Sequence, residues 1–238
     1  MKSRFAAGFT LIELLVVITI IIILAGLAVG VVPQALERAN QVQCLSNARQ
    51  VNLALRLFAD DHDGNFPTNG PVGGSDLSPG TTAAKTSNEA FRTLFTGYTK
   101  QEKIFYVGKS AWCSKTAPDE RFSDDTTCLA AGENDFAYIL NLTNTSNPSL
   151  PVLMNGLDTS AAKYVIDKTQ PGGVWGGRKA VLARVDGSAE IAVCDPTTGV
   201  PQRTSASGKK VSIFAPGTGS DDWLSTTQTV VNPIRPGS

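Results

Sequence analysis

Gly8-Phe9-Thr10-Leu11-Ile12-Glu13-Leu14-Leu15-Val16-Val17 opens the longest apolar run of the chain. Between Phe9 and Val32 there is no Lys, Arg, Asp or Asn, and Glu13 is the single acidic residue. As a helix, about 24 residues reach roughly 36 Å, enough to cross a hydrocarbon core of roughly 30 Å. Only eight residues precede the run, and they include Lys2 and Arg4. A short basic flank holds its end in the cytoplasm, so residues 9–32 are expected to span a membrane, with the rest of the chain outside.

Glu13 asks for a reason. A carboxylate inside hydrocarbon costs about 2.5–3.5 kcal/mol near a helix centre and less toward the interface, unless it is paired. Either it is an interfacial residue that a signal anchor tolerates, or it awaits a cation from another subunit. A basic leader followed by Gly8, Phe9, Thr10, Leu11, Ile12 and Glu13 resembles the processing signal of type IV pilins and type II secretion pseudopilins. The likeness runs through about Val32, and similar character continues to about Pro67. The resemblance implies that prepilin peptidase cuts between Gly8 and Phe9 and methylates the new amino terminus of Phe9. A free α-amino group has a pKa of about 7.7–8.0 and is largely protonated near neutrality. It can therefore neutralise the Glu13 of a neighbour, which makes Glu13 the assembly residue.

The 238 residues are 42% hydrophobic and 18% charged, with 21 basic against 21 acidic side chains. Losing residues 1–8 removes Lys2 and Arg4 and leaves 19 basic against 21 acidic. General nucleic-acid binding, which needs a basic face, is not expected. The 22 Gly and 13 Pro, with many Ser, Thr and Asn, point to a loop-rich domain containing β structure. The fold class expected is α+β: a long N-terminal helix packed on a small antiparallel sheet. The divisions are a leader at 1–8, a membrane and filament-core helix at 9–32, an amphipathic helix at 33–60, a pilin-like domain at 61–215, and a flexible tail at 216–238.

Beyond Gly26, Gly30 and Pro33, which interrupt the helix, Leu36, Ala39, Val42, Leu45, Ala48, Val51, Leu55 and Phe58 recur at spacings of three and four. They predict an inward stripe, with Cys44 beside it. Asp60 to Pro67 ends the helix. Its acids fail the calcium-loop pattern, since Phe66 and Val72 fall where Gly and Glu are required when counting starts at Asp61. His62, the only histidine, reads as a solvated turn residue. Asn69 to Asn88 reads as an exposed loop, Glu89 to Tyr98 as a short helix, and Ile104 to Val107 as a strand. Phe136 to Leu142, Pro151 to Met154 and Tyr164 to Asp167 also read as strands. The plainest hairpin joins Ala180–Val185 to Ser188–Val193 through Asp186-Gly187, a type I′ signal. Val211 to Ala215 reads as an edge strand. The hairpin is similar to one in a large pseudopilin-like group marked by His, nine residues and Asp-Gly. Gly176 stands at the His position, so no role for that residue carries over.

The four cysteines, Cys44, Cys113, Cys128 and Cys194, allow three full pairings. A Cys113–Cys128 disulfide would close a loop of about 15 residues, worth about 3 kcal/mol in the entropic picture. With one histidine and no C-x-x-C, zinc is disfavoured. Asp221 and Asp222 resemble the C-terminal calcium loop of major pseudopilins; otherwise no cofactor is expected. No Walker loop, G-x-S-x-G or H-E-x-x-H is present, so the chain reads as a structural subunit rather than an enzyme. The resemblance implies as partners the prepilin peptidase, other pilins or pseudopilins in a helical filament, and an inner-membrane assembly platform. Secretion pseudopilus, type IV pilus and DNA-uptake filament stay open. The rival reading is an anchored or secreted binding module that uses the apolar run as a signal anchor.

Overall fold

The computed structural model describes residues 9–218 and 220–237, with the side chains of 27–31 left out. The leader at 1–8, including Gly8, lies outside the described residues. Helix α1 runs over Leu11–Asp61 without a break in helical assignment at Pro33. The interruption expected there does not occur: a helical Pro forfeits its own backbone bond, and the flanking turns carry the helix on. The chain forms two compact units, Met1–Gln43 and Cys44–Ser238.

In the first unit, Leu11 to Leu24 present exposed apolar side chains; Leu11 is 88% and Ile23 62% exposed. The bilayer crossing expected for residues 9–32 falls partly on side chains 27–31, which lie outside the described ones; among the described residues no helix is long and apolar enough to cross a membrane.

In the second unit the remainder of α1 lies on an antiparallel sheet. After α1 come β1 (Asn69–Gly73), β2 (Asp76–Ala83), α2 (Ser87–Arg92) and 3₁₀ turns at Thr93–Thr96 and Glu102–Phe105. Strands β3 (Phe136–Ile139), β4 (Pro151–Asn155), β5 (Lys179–Arg184), β6 (Ala189–Val193), β7 (Gln202–Thr204), β8 (Lys210–Ser212) and β9 (Val230–Val231) follow. Five form the main sheet in the order β6-β5-β4-β3-β9, while β1-β2 and β7-β8 stand as separate hairpins. β3 and β4 are buried along their whole length, which explains their continuous apolar runs.

The inward stripe of α1 is Cys44, Ala48, Val51, Leu55, Phe58 and Ala59, all buried. Leu36 and Val42, expected on that stripe, are 55% and 60% exposed, so the buried apolar stripe begins at Cys44, although the polar Gln41 is also buried. Polar side chains then fasten the helix to the hairpin. Asn52 Nδ2 donates to the Arg184 carbonyl at 2.8 Å, Arg49 to Ala189 at 3.4 Å, and Arg56 to the Asp186 carbonyl. Helix α2 starts at Thr86, whose hydroxyl accepts from Glu89 N. It delivers Phe91 onto Phe105 and Tyr138 with centroids 5.2 and 5.1 Å apart.

Several local expectations are corrected. Asn69 to Ala83 is the β1-β2 hairpin rather than a loop, held by main-chain pairing that polar composition does not reveal. Ile104 lies in a 3₁₀ turn instead of a strand, because Phe105 must turn inward onto Phe91 and Phe95. Tyr164 to Asp167 forms no strand; Tyr164 instead points its hydroxyl at the Asn155 carbonyl, 3.0 Å away. The β5-β6 turn is one residue longer than expected. Arg184 N donates to Ser188 O at 2.8 Å, and Gly187 N to Arg184 O at 3.0 Å, with Gly187 at φ +90°. This is a three-residue turn with glycine in the left-handed position, and it pairs Ala183 with Ala189. The tail is not loose: Val230 and Val231 pair with Ile139 and Tyr138, and Leu224 and Val231 are buried.

Candidate processing and assembly site

Thr10 precedes the first turn of α1 and Glu13 is its third helical residue. Thr10 N and Thr10 Oγ1 donate to Glu13 Oε2 at 2.8 and 2.7 Å, and Glu13 N donates back to Thr10 Oγ1 at 3.3 Å. Leu14 N donates to the Thr10 carbonyl at 3.3 Å, closing the first turn. This is a reciprocal capping box, which satisfies donors a helix start otherwise leaves open. The carboxylate also sits at the positive end of the helix dipole. Both side-chain bonds fall on Oε2. Among the described residues Oε1 has no partner, and Phe9 is 78% exposed. Phe9 and Glu13 lie four residues apart at one exposed helix start. Thr10 was not singled out from sequence, although its spacing to Glu13, Ser or Thr followed three residues later by Glu, is the signal that finds it.

The four cysteines are free thiols and buried, so the expected Cys113–Cys128 disulfide is not formed. Their surroundings differ. Cys113 Sγ accepts from Val107 N at 3.4 Å and faces Asp135 and Cys44. Cys128 lies among Glu102, Arg92 and Asp124. Burial pushes the Cys128 and Cys194 thiols up to about 12 and raises Cys44 and Cys113 further. Thiols held protonated are poor nucleophiles and poor metal ligands.

His62 is not simply solvated. Its ring stacks on Phe58 at 3.8 Å, and Nδ1 lies 2.8 Å from the Phe58 carbonyl. Asp221 is committed to Arg203: its Oδ2 lies 2.7 Å from Nη1, and that guanidinium covers the Trp223 ring at 4.5 Å. Asp222 accepts from Asn147 Nδ2 at its carbonyl and at Oδ2. A guanidinium therefore takes the place a cation would hold beside Asp221, and the two acids do not converge.

Glu102, Asp119 and Glu133 do converge, with one oxygen of each within 4.8 Å of the others. Their oxygens serve the main chain instead of a metal. Glu102 accepts from Leu129 N at 2.8 Å and Arg121 N at 3.1 Å, and Glu133 from Ala130 N at 2.7 Å and Asp119 N at 3.4 Å. The cluster shapes the loop from Asp119 to Glu133. Burial is the main reason Glu102 is pushed up to about 7, and Glu133 is raised from the same cause.

A long helix with an exposed apolar start, followed in sequence by a small antiparallel sheet domain, defines an α+β protein of pilin-like architecture. Residues 3–29 match the family described as the prokaryotic N-terminal methylation motif. The match is confined to this N-terminal segment and supports a type IV pilin-like or pseudopilin reading. No curated protein and no solved structure matches it.

Proposed function

We propose that the protein is a membrane-anchored subunit of a type II secretion pseudopilus or a type IV pilus-like filament. Prepilin peptidase cleaves between Gly8 and Phe9 and methylates the Phe9 amine. Subunits then assemble through their N-terminal helices, with an inner-membrane platform supplying the machinery. Head-to-tail contacts that do not close on themselves generate such filaments. The observation that carries the reading is the methylation motif at residues 3–29, set at the head of a helix whose apolar side chains are exposed. The open Oε1 of Glu13 supports the assembly step. One oxygen caps its own helix, while the other can take the protonated amine of a neighbour's Phe9.

Intact-mass and N-terminal peptide mass spectrometry on protein from its native membrane tests this. A chain that starts at Phe9 with one added methyl group is the expected result. A chain that starts at Met1, or near Val29 to Val31, overturns it and leaves an ordinary anchor or signal in front of an extracytoplasmic binding domain.

A further inference from the structure

Asp135, immediately before β3, is fully buried. Its Oδ2 accepts from Asn155 Nδ2 at 2.5 Å, and its Oδ1 has no hydrogen-bond partner. Asn155 is the hub that joins three parts of the domain. Its Nδ2 also reaches Cys44 Sγ of α1 at 3.3 Å, and its Oδ1 accepts from Trp175 Nε1 at 2.9 Å and Val181 N of β5 at 2.8 Å. The groups facing Asp135 are Cys44 from α1, Ser110 and Cys113 from the segment before the polar loop, Asn155 from β4, and Tyr164. None is a cation. The side-chain atoms of Asn155 are all engaged, whereas Asp135 Oδ1 is a buried acceptor left without a donor.

A carboxylate with no counter-charge is strongly disfavoured in such surroundings, whereas a neutral carboxylic acid is tolerated. We infer that Asp135 is a proton-controlled latch: neutral, it holds Cys44 to Asp61 of α1 against the sheet through Asn155, and ionised, it loosens that stretch. Burial pushes the acid up to about 7, against about 3.9 in an unfolded chain. The folded protein then keeps a proton that the unfolded chain releases between those values. Stability is highest at the acidic end of that window, falls as pH rises through it, and levels off above about 7.

The test uses the full chain in detergent micelles. Thermal unfolding is followed from pH 4.5 to 8.5 for the wild type and for Asp135→Asn, which keeps the shape and removes the titration. Burial also pushes Glu102 up to about 7 and raises Glu133, so the quantity read is the difference between the two profiles. The wild type is expected to lose about 5 °C or more relative to the variant across the window; parallel profiles overturn the latch. Hydrogen exchange, corrected for intrinsic pH dependence, is expected to rise in Cys44 to Asp61 of the wild type before it rises in β3 to β5. Equal loss over helix and sheet also overturns it. Should the variant not fold, the infrared carbonyl band of isotope-labelled aspartate decides. A protonated, buried carboxyl at pH 6 that disappears by pH 8.5 supports the latch, and its absence refutes it.

Discussion

Asn52 Nδ2 lies 2.8 Å from the carbonyl oxygen of Arg184, a side chain of α1 bonded to the last residue of β5. Asn52 is fully buried and its Oδ1 has no partner. One polar side chain on an otherwise apolar face therefore sets where the helix meets the hairpin. Asn52→Ala removes one of the two donors to that carbonyl, Gly187 N remaining, and is expected to cost about 1 kcal/mol, read as a lower urea midpoint with an unchanged slope.

The position of the buried stripe can be tested by contrast. Leu55 is fully buried, while Leu53, two residues earlier, is 59% exposed. Leu55→Ala should destabilise the domain by about 2–5 kcal/mol, and Leu53→Ala by no more than about 0.5 kcal/mol. Equal effects in denaturant titrations would show that the helix is rotated from the face described.

Gly187 has φ +90°, and a Cβ placed there would lie 2.5 Å from Arg56 Nη1. Gly187→Ala is expected to cost about 1–2 kcal/mol. Adding Arg56→Ala relieves the contact but not the left-handed backbone, so the double variant should recover only part of the lost thermal stability.

Capping and pairing at Glu13 separate by mutation. Thr10→Val removes the hydroxyl but keeps the carboxylate, and it should lower amide protection in the first turn of α1 by about 1 kcal/mol while subunits still enter filaments. Glu13→Leu should abolish incorporation. If both variants assemble equally well, the pairing role of Glu13 is lost and only the cap remains.

Glu102 gives the loop from Asp119 to Glu133 a pH response of its own. Its acid is pushed up to about 7, chiefly by burial, above about 4.3 in an unfolded chain. The contribution to stability is therefore present at low pH and lost as pH rises through about 7. Glu102→Gln should flatten the profile between those limits, as measured by the urea midpoint at successive pH values.

What was legible in the sequence depended on nearest neighbours along the chain. Thr10 and Glu13 are three residues apart and close their own box. Asp186 and Gly187 mark a turn because only their own backbone conformation is needed, and the three-and-four spacing from Ala48 to Phe58 marks a helix face by helical geometry alone. The processing signal is likewise a local pattern. Long-range partners decided the rest. β9 was unreadable because two valines in a polar tail become a strand only beside Tyr138 and Ile139. The start of the buried stripe at Cys44 depends on where the sheet lies under the helix. Cys113 and Cys128 are close in sequence, yet each is buried as a free thiol, and the loop-closure argument carries no term for that. Nothing local in the sequence marks Asp135; the groups around it, Asn155, Cys44 and Tyr164, come from distant parts of the chain. Hydrogen-bonded turns, caps and helical periodicity are fixed within a few residues of the chain. Burial, and with it the protonation of an acid or the fate of a thiol, is fixed by residues far apart in sequence, and only the tertiary structure assembles those.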